Sequence, residues 1–141
     1  MYRILIADDD VLMREALKVM ISREEAFTVT DAVCSGESAV SICRIAPVDI
    51  VFLDMQMPGI TGLEASRIIH QINPDIAIYI LSAHASSVLI RNAGQETLKD
   101  VLEKPITNQM LKKILENYKT EHEDDSHEHM KLLVRSEEHT S

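Results

Sequence analysis

The stretch Tyr2–Asp10, YRILIADDD, decides the reading of the fold. An apolar run, Ile4–Ala7, passes without a break into three carboxylates, Asp8, Asp9 and Asp10. Like charges repel at this spacing, so the run must end where water or a cation can take them. Short apolar runs read as strands buried on both faces, and such strands belong to parallel sheets covered by helices. The same design recurs in Asp49–Asp54, DIVFLD, a second nearly apolar run that closes on a carboxylate.

Between and beyond these two runs the pattern alternates strand and helix. Met13, Ala16, Leu17, Met20 and Ile21 repeat at helical spacing. FTVTDAV (27–33) reads as a strand, and Ser35 caps a helix in SGESAVSICRIA. MPGITG (57–62) is a loop, with Gly59 and Gly62 read as turn residues. Leu63, Ile68, Ile69 and Ile72 form the next stripe, halted by Asn73-Pro74. IAIYILS (76–82) predicts a fourth strand, Ser87–Ala93 a helix, and DVLE (100–103) a short fifth strand. Thr107 caps a last helix with Met110, Leu111, Ile114, Leu115 and Tyr118 on one face.

Five strand–helix units in succession predict an α/β fold, a parallel sheet with helices on both faces and strand order 2-1-3-4-5. Ligands of such sheets sit at the carboxyl ends of the strands, where the order reverses between strands 1 and 3. That crevice collects Asp8, Asp9 and Asp54, with Ser82 at the end of strand 4 and Lys104 just past strand 5. Crowded carboxylates suit a hard divalent cation, Mg²⁺ or Mn²⁺ in its place. A bound cation offsets the repulsion and keeps the carboxylates ionised. Asp54 can then attack a phosphoryl group, while Lys104 neutralises charge on the transferring oxygens and Ser82 hydrogen-bonds one of them.

These segments together resemble a response-regulator receiver domain of two-component signalling. ILIADDD, DIVFLDMQMPGITGLE, ILSA and EKPIT carry the resemblance, in family order and spacing, over about residues 2–118. It implies a flavodoxin-like (βα)5 three-layer sandwich and a phosphoacceptor signalling domain rather than an enzyme. The donor would be a sensor histidine kinase, and phosphorylation can bring a homodimer. Residue by residue, Asp54 matches the phosphoacceptor, Asp9 a direct Mg²⁺ ligand and Asp8 its acidic neighbour. The Gln56 backbone carbonyl matches the third ligand, and Ser82 the switch hydroxyl. Lys104 matches the family's lysine, with a cis bond to Pro105. Gln56 and His84 match the two positions that tune hydrolysis of the acyl phosphate. Asp10 is the acid that follows the pair and favours the start of the first helix.

The sequence also departs from the family. Three residues before the lysine the family has Tyr or Phe, and here stands Val101. A Gly-Ala pair before strand 5 is replaced by Thr97-Leu98, and SSVLIRNAGQETLKD (86–100) matches poorly. That segment keeps alive a degenerate receiver that serves only for docking. A rival from another class is a haloacid-dehalogenase-like phosphatase using Asp8, since Asp8 and Asp10 have its Asp-x-Asp spacing. Leu12 and the lack of an acidic pair after Lys104 tell against it, and it leaves Asp54 without a role.

Composition narrows the setting. A chain of 141 residues suffices for one core. Its net charge of −9 and the absence of a basic patch argue against direct nucleic-acid contact. With no apolar run of about 20 residues and no signal segment, neither membrane insertion nor export is expected, and the cytoplasm is the expected compartment. Cys34 and Cys43 lack metal-ligand spacing, and both read as small core or near-core residues. We expect a receiver over 1–120 and an acidic flexible linker over 121–134, in which His122, His127 and His129 are solvated. Residues 135–141, RSEEHTS, resemble a translated sequencing adapter and are set aside. The natural chain is then expected to continue past Val134 as a longer regulator, while composition leaves open both a stand-alone receiver and the front of a DNA-binding, transcriptional regulator.

Overall fold

The structure is a computed structural model, described over residues 1–84 and 97–123. Its elements are β1 (Tyr2–Ala7), α1 (Val11–Ser22), β2 (Phe27–Val33), α2 (Gly36–Ile45), β3 (Ile50–Asp54), α3 (Gly62–Ile72), β4 (Ala77–Ser82) and β5 (Asp100–Glu103). A last helix, α4, spans 108–123. The helix expected at Ser87–Ala93 lies outside the described residues, as do His127, His129 and the whole of 124–141.

All strand pairs are parallel, in the order β2-β1-β3-β4-β5. The register aligns the strand ends that matter: Ala7 lies opposite Leu53, Asp54 opposite Leu81, and Ser82 opposite Glu103. Strand periodicity divides the side chains between two faces. Leu5, Ala7, Val51, Leu53, Ile78 and Ile80 join Ala39, Val40 and Cys43 of α2 and Ala65 and Ile69 of α3 in one buried cluster. Ile4, Ile6, Ile50, Phe52, Tyr79 and Leu81 point the other way and are buried too. The right-handed crossover from β1 puts α1, with its buried Leu17 and Ile21, on that side. Helices on both faces make the three layers the sequence predicted. Each fully buried Ile or Leu contributes roughly 1.5–3 kcal/mol, so this double-faced burial holds the strand ends rigidly.

The helix starts follow from their caps. Asp10 accepts the Leu12 N–H at 2.9 Å, and Ser35 accepts the Ser38 N–H at 3.1 Å. Thr61 and Glu64 form a reciprocal capping box at α3. Cys43 is buried, but Cys34 is exposed, which corrects the expectation of a core or near-core position. It stands just past β2 and directly before the cap residue Ser35, where the chain turns outward.

Met1–Ile106 form one compact unit, and a second begins at Thr107. In the second, the Thr107 hydroxyl accepts the Met110 N–H at 3.1 Å, and Leu111, Leu115 and Tyr118 are buried on one helical stripe. Among the described residues α4 runs to Glu123. Lys119 pairs with Glu123 at 3.9 Å, and the His122 ring stacks on Tyr118, so local contacts carry the helix into the acidic stretch.

Candidate functional site

The site follows from where the strands stop. Ala7 and Leu53 are paired, so the next residues, Asp8 and Asp54, leave adjacent strands side by side. Asp8 is fully buried and Asp54 nearly so, while Asp9 is exposed. One carboxylate oxygen from each of Asp8, Asp9 and Asp54 lies within 4.8 Å of the others. Oxygens on opposite sides of an octahedral Mg²⁺ stand about 4 Å apart, so this all-oxygen donor set fits such an ion with little adjustment.

The rim is tied together by main-chain bonds. The Asp8 N–H donates to Val33 O at 3.0 Å, the Met55 N–H to Leu81 O at 2.9 Å, and the Lys104 N–H to Ser82 O at 2.9 Å. The Lys104–Pro105 bond is cis, as the resemblance implied. Lys104 Nζ lies 3.0 Å from Asp54 Oδ1 and 3.3 Å from Asp8 Oδ2, bridging both carboxylates. Asp8 Oδ1 also accepts the Asp10 N–H at 2.9 Å, which fixes its rotamer.

Charge does not balance here. Three carboxylates meet one ammonium, leaving an excess of two negative charges among these four groups. Burial pushes the Asp54 carboxyl above its usual value; the hydrogen bond from Lys104 opposes this, and the charge of Asp8 adds to it. Burial pulls the Lys104 ammonium down, but its bond to Asp54 and the charges of Asp8 and Asp54 outweigh that and hold it above its usual value. Lys104 therefore stays protonated at neutral pH.

The remaining predicted residues take distinct places. Ser82 is buried at the end of β4, and its Oγ accepts the His84 N–H at 3.1 Å. His84 itself is exposed. Gln56 is exposed, and its backbone N–H bonds the Asp54 carboxylate. Val101 is buried in the core cluster.

Three residues escaped the sequence reading. Arg14 donates to the Asp8 carbonyl at 2.7 Å, bracing the end of β1 from α1. Gly62 is more than a turn residue: it opens α3, and a Cβ there would collide with the Asp54 carbonyl. Glu37, in the first turn of α2, accepts the Ile60 N–H at 2.6 Å. Only the glycine carried a sequence signal, a Gly just after a cap residue, and that signal does not reveal its neighbour.

Comparison with known proteins agrees with this geometry. The family model described as the response regulator receiver domain matches residues 4–116. The response regulator UvrY of Escherichia coli K12 is 37% identical over 89 residues, covering 63% of this chain and 41% of that protein. The transcriptional regulatory protein BtsR of Salmonella typhi is 31% identical over 121 residues, covering 86% of this chain and 49% of that protein. The chain thus spans less than half the length of these relatives. Among solved structures, the receiver domain of AraT from Geobacillus stearothermophilus superposes with a TM-score of 0.79 at 25% identity, covering 89% of this chain and 98% of that one. A CheY-like receiver from Methanospirillum hungatei shares the fold with a TM-score of 0.80 at 19% identity, with the same coverage.

Proposed function

The chain belongs to the response regulator receiver domain family, and from that premise we propose that Asp54 is its phosphoacceptor. The observation that carries this is the meeting of Asp8, Asp54 and Lys104 within 3.3 Å of the lysine nitrogen. A carboxylate oxygen of Asp54 forms a bond to phosphorus as the phosphorus–nitrogen bond of a partner's phosphohistidine breaks. The imidazole keeps the electron pair and takes up a proton. Lys104 offsets charge on the transferring oxygens from a position already fixed before the partner arrives.

Asp8, Asp9 and Asp54 would hold a divalent cation, Mg²⁺ or Mn²⁺, with the Gln56 backbone carbonyl as a further ligand. When bound, that ion supplies charge neutralisation for carboxylates and phosphoryl oxygens alike. The Ser82 hydroxyl, held by the His84 N–H, hydrogen-bonds the incoming phosphoryl group. Gln56 and His84, exposed beside it, set the access of water to the acyl phosphate. The donor is a sensor histidine kinase. The receiver corresponds to residues 1–120, and the acidic segment beyond it leads to an output region in a longer regulator. The names of the longer relatives, a response regulator and a transcriptional regulatory protein, support transcription as the output.

Incubation with acetyl phosphate and Mg²⁺, followed by intact-mass measurement, tests the assignment. The wild-type chain gains one phosphoryl group, and the Asp54→Asn variant gains none. Undiminished labelling of that variant would remove Asp54 as the acceptor.

A further inference from the structure

The loop between β3 and α3 carries the Gln56 carbonyl, on which the proposed function relies, and the Gln56 N–H, which bonds the Asp54 carboxylate. It leaves the sheet at Asp54 and returns at Gly62, whose backbone presses against the Asp54 carbonyl. At its far side, Glu37 of α2 reaches across from a different element. Its Oε1 accepts the Ile60 N–H at 2.6 Å, a bond between residues 23 apart in the chain. The carboxylate also fills the space over Gly59, whose φ is +88°, so any side chain there would be strained and would displace Glu37. The bond holds the Glu37 carboxyl below its usual value, so it is ionised and its hydrogen bond is charge-assisted.

We infer that Glu37 is a positioning residue for the phosphoacceptor site: through Ile60 and Gly59 it fixes the loop that presents Gln56 to Asp54 and to the cation. It touches neither the acceptor nor the transferring group. Its influence runs from α2, through one main-chain N–H, to the backbone of residues 56–60. This rests on the receiver reading for its purpose, but its physical content is separable, because cation affinity can be measured without any phosphoryl transfer.

Glu37→Ala and Glu37→Gln distinguish positioning from simple charge. Glu37 is exposed, so neither change empties the core. Loss of an outer hydrogen bond that orients ligands lowers metal affinity by about 10-fold, at the lower end of the usual range because the contact is one loop removed. Removal of a negative charge near a cation would weaken binding equally in both variants, whereas Gln keeps an acceptor oxygen for Ile60. Calorimetric titration of the full chain with Mg²⁺ should give a dissociation constant about 10-fold higher for Glu37→Ala and within about threefold of wild type for Glu37→Gln. The Ile60 amide should exchange with solvent faster in Glu37→Ala alone. Equal affinity in wild type and Glu37→Ala, equal weakening in both variants, or an unchanged Ile60 exchange rate in Glu37→Ala overturns the inference. Acetyl phosphate labelling of the wild type, run alongside, tests the receiver reading instead: absence of labelling with the predicted pattern of affinities strikes that reading and leaves the role of Glu37 in place.

Discussion

Lys104→Met removes the ammonium and keeps most of the alkyl stem, so it isolates the charge. In the wild type, Nζ serves Asp54 at 3.0 Å and Asp8 at 3.3 Å, and Asp8 has no exposure to water at all. Removing one partner from a buried ion pair costs about 3–5 kcal/mol, because a buried charge is left without compensation. The Lys104 side chain is 24% exposed, so water screens part of this, and about 2–3 kcal/mol remains. For a chain of this size that is a fall in the thermal midpoint of roughly 10 °C. The assay is thermal unfolding followed by circular dichroism, first in chelator and then in excess Mg²⁺. In chelator the full deficit should appear. Ligand binding to the folded state adds about 2.7 kcal/mol at a hundredfold excess over the dissociation constant. The variant lacks the ammonium that competes for the same carboxylates, so it should gain more from Mg²⁺ than the wild type, and the gap should narrow. Equal midpoints in chelator, or a gap that widens with Mg²⁺, would show that these carboxylates are not compensated by Lys104.

Gly62→Ala sets a favourable helix propensity of about 1 kcal/mol against overpacking on the Asp54 carbonyl, which costs about 1–3 kcal/mol. We expect a net loss of about 1 kcal/mol in urea unfolding together with slower uptake from acetyl phosphate; a stabilised variant with normal uptake would contradict the close approach. The two thiols should separate cleanly: Cys34 is exposed, whereas burial pushes Cys43 up to about 11, so at pH 8 only about one Cys43 in a thousand is thiolate. A chromogenic disulfide reagent should modify one thiol rapidly and the second only after unfolding. Because the folded state holds the Cys43 proton more tightly than the unfolded chain, this residue's stabilising share is present below pH 9 and declines as pH rises through about 11.

β1, β3 and β4 were legible because they are nearly pure apolar runs that lead into polar residues. β3 is buried at every position and closes on Asp54, so its end at the site could be placed from the letters alone. Five strand–helix units pointed to a parallel sheet covered on both faces, and the expected order, which the structure shows, brings Asp8, Asp9, Asp54 and Lys104 to one rim. What stayed hidden is contact with main-chain groups, which has no residue signature. Arg14 and Glu37 look like ordinary charges on solvated helix faces, and each instead bonds a backbone group of another segment. The approach of Gly62 to Asp54 depends on how the loop folds back, and the exposure of Cys34 depends on where β2 ends. Neither is a property of composition.

The charge imbalance at the rim would let this arrangement respond to a phosphoryl group rather than stay a fixed ion pair. Lys104 divides its hydrogens between Asp8 and Asp54, so it is saturated by neither. Asp8 is anchored independently, by the Asp10 N–H, and does not need the lysine to hold its rotamer. A phosphoryl group on Asp54 would add charge on one side of that divided contact only, and Lys104 would follow it. Ser82 stands in a comparable position. Its oxygen is occupied as an acceptor by the His84 N–H, which leaves its proton to be given to a new acceptor at the strand end. Movement of Ser82 toward that acceptor would draw on the bond to residue 84, and with it on the backbone that follows β4. The buried Val101 offers no aromatic ring to follow such a movement. The backbone of residues 82–84 is where a perturbation on phosphorylation should be sought first.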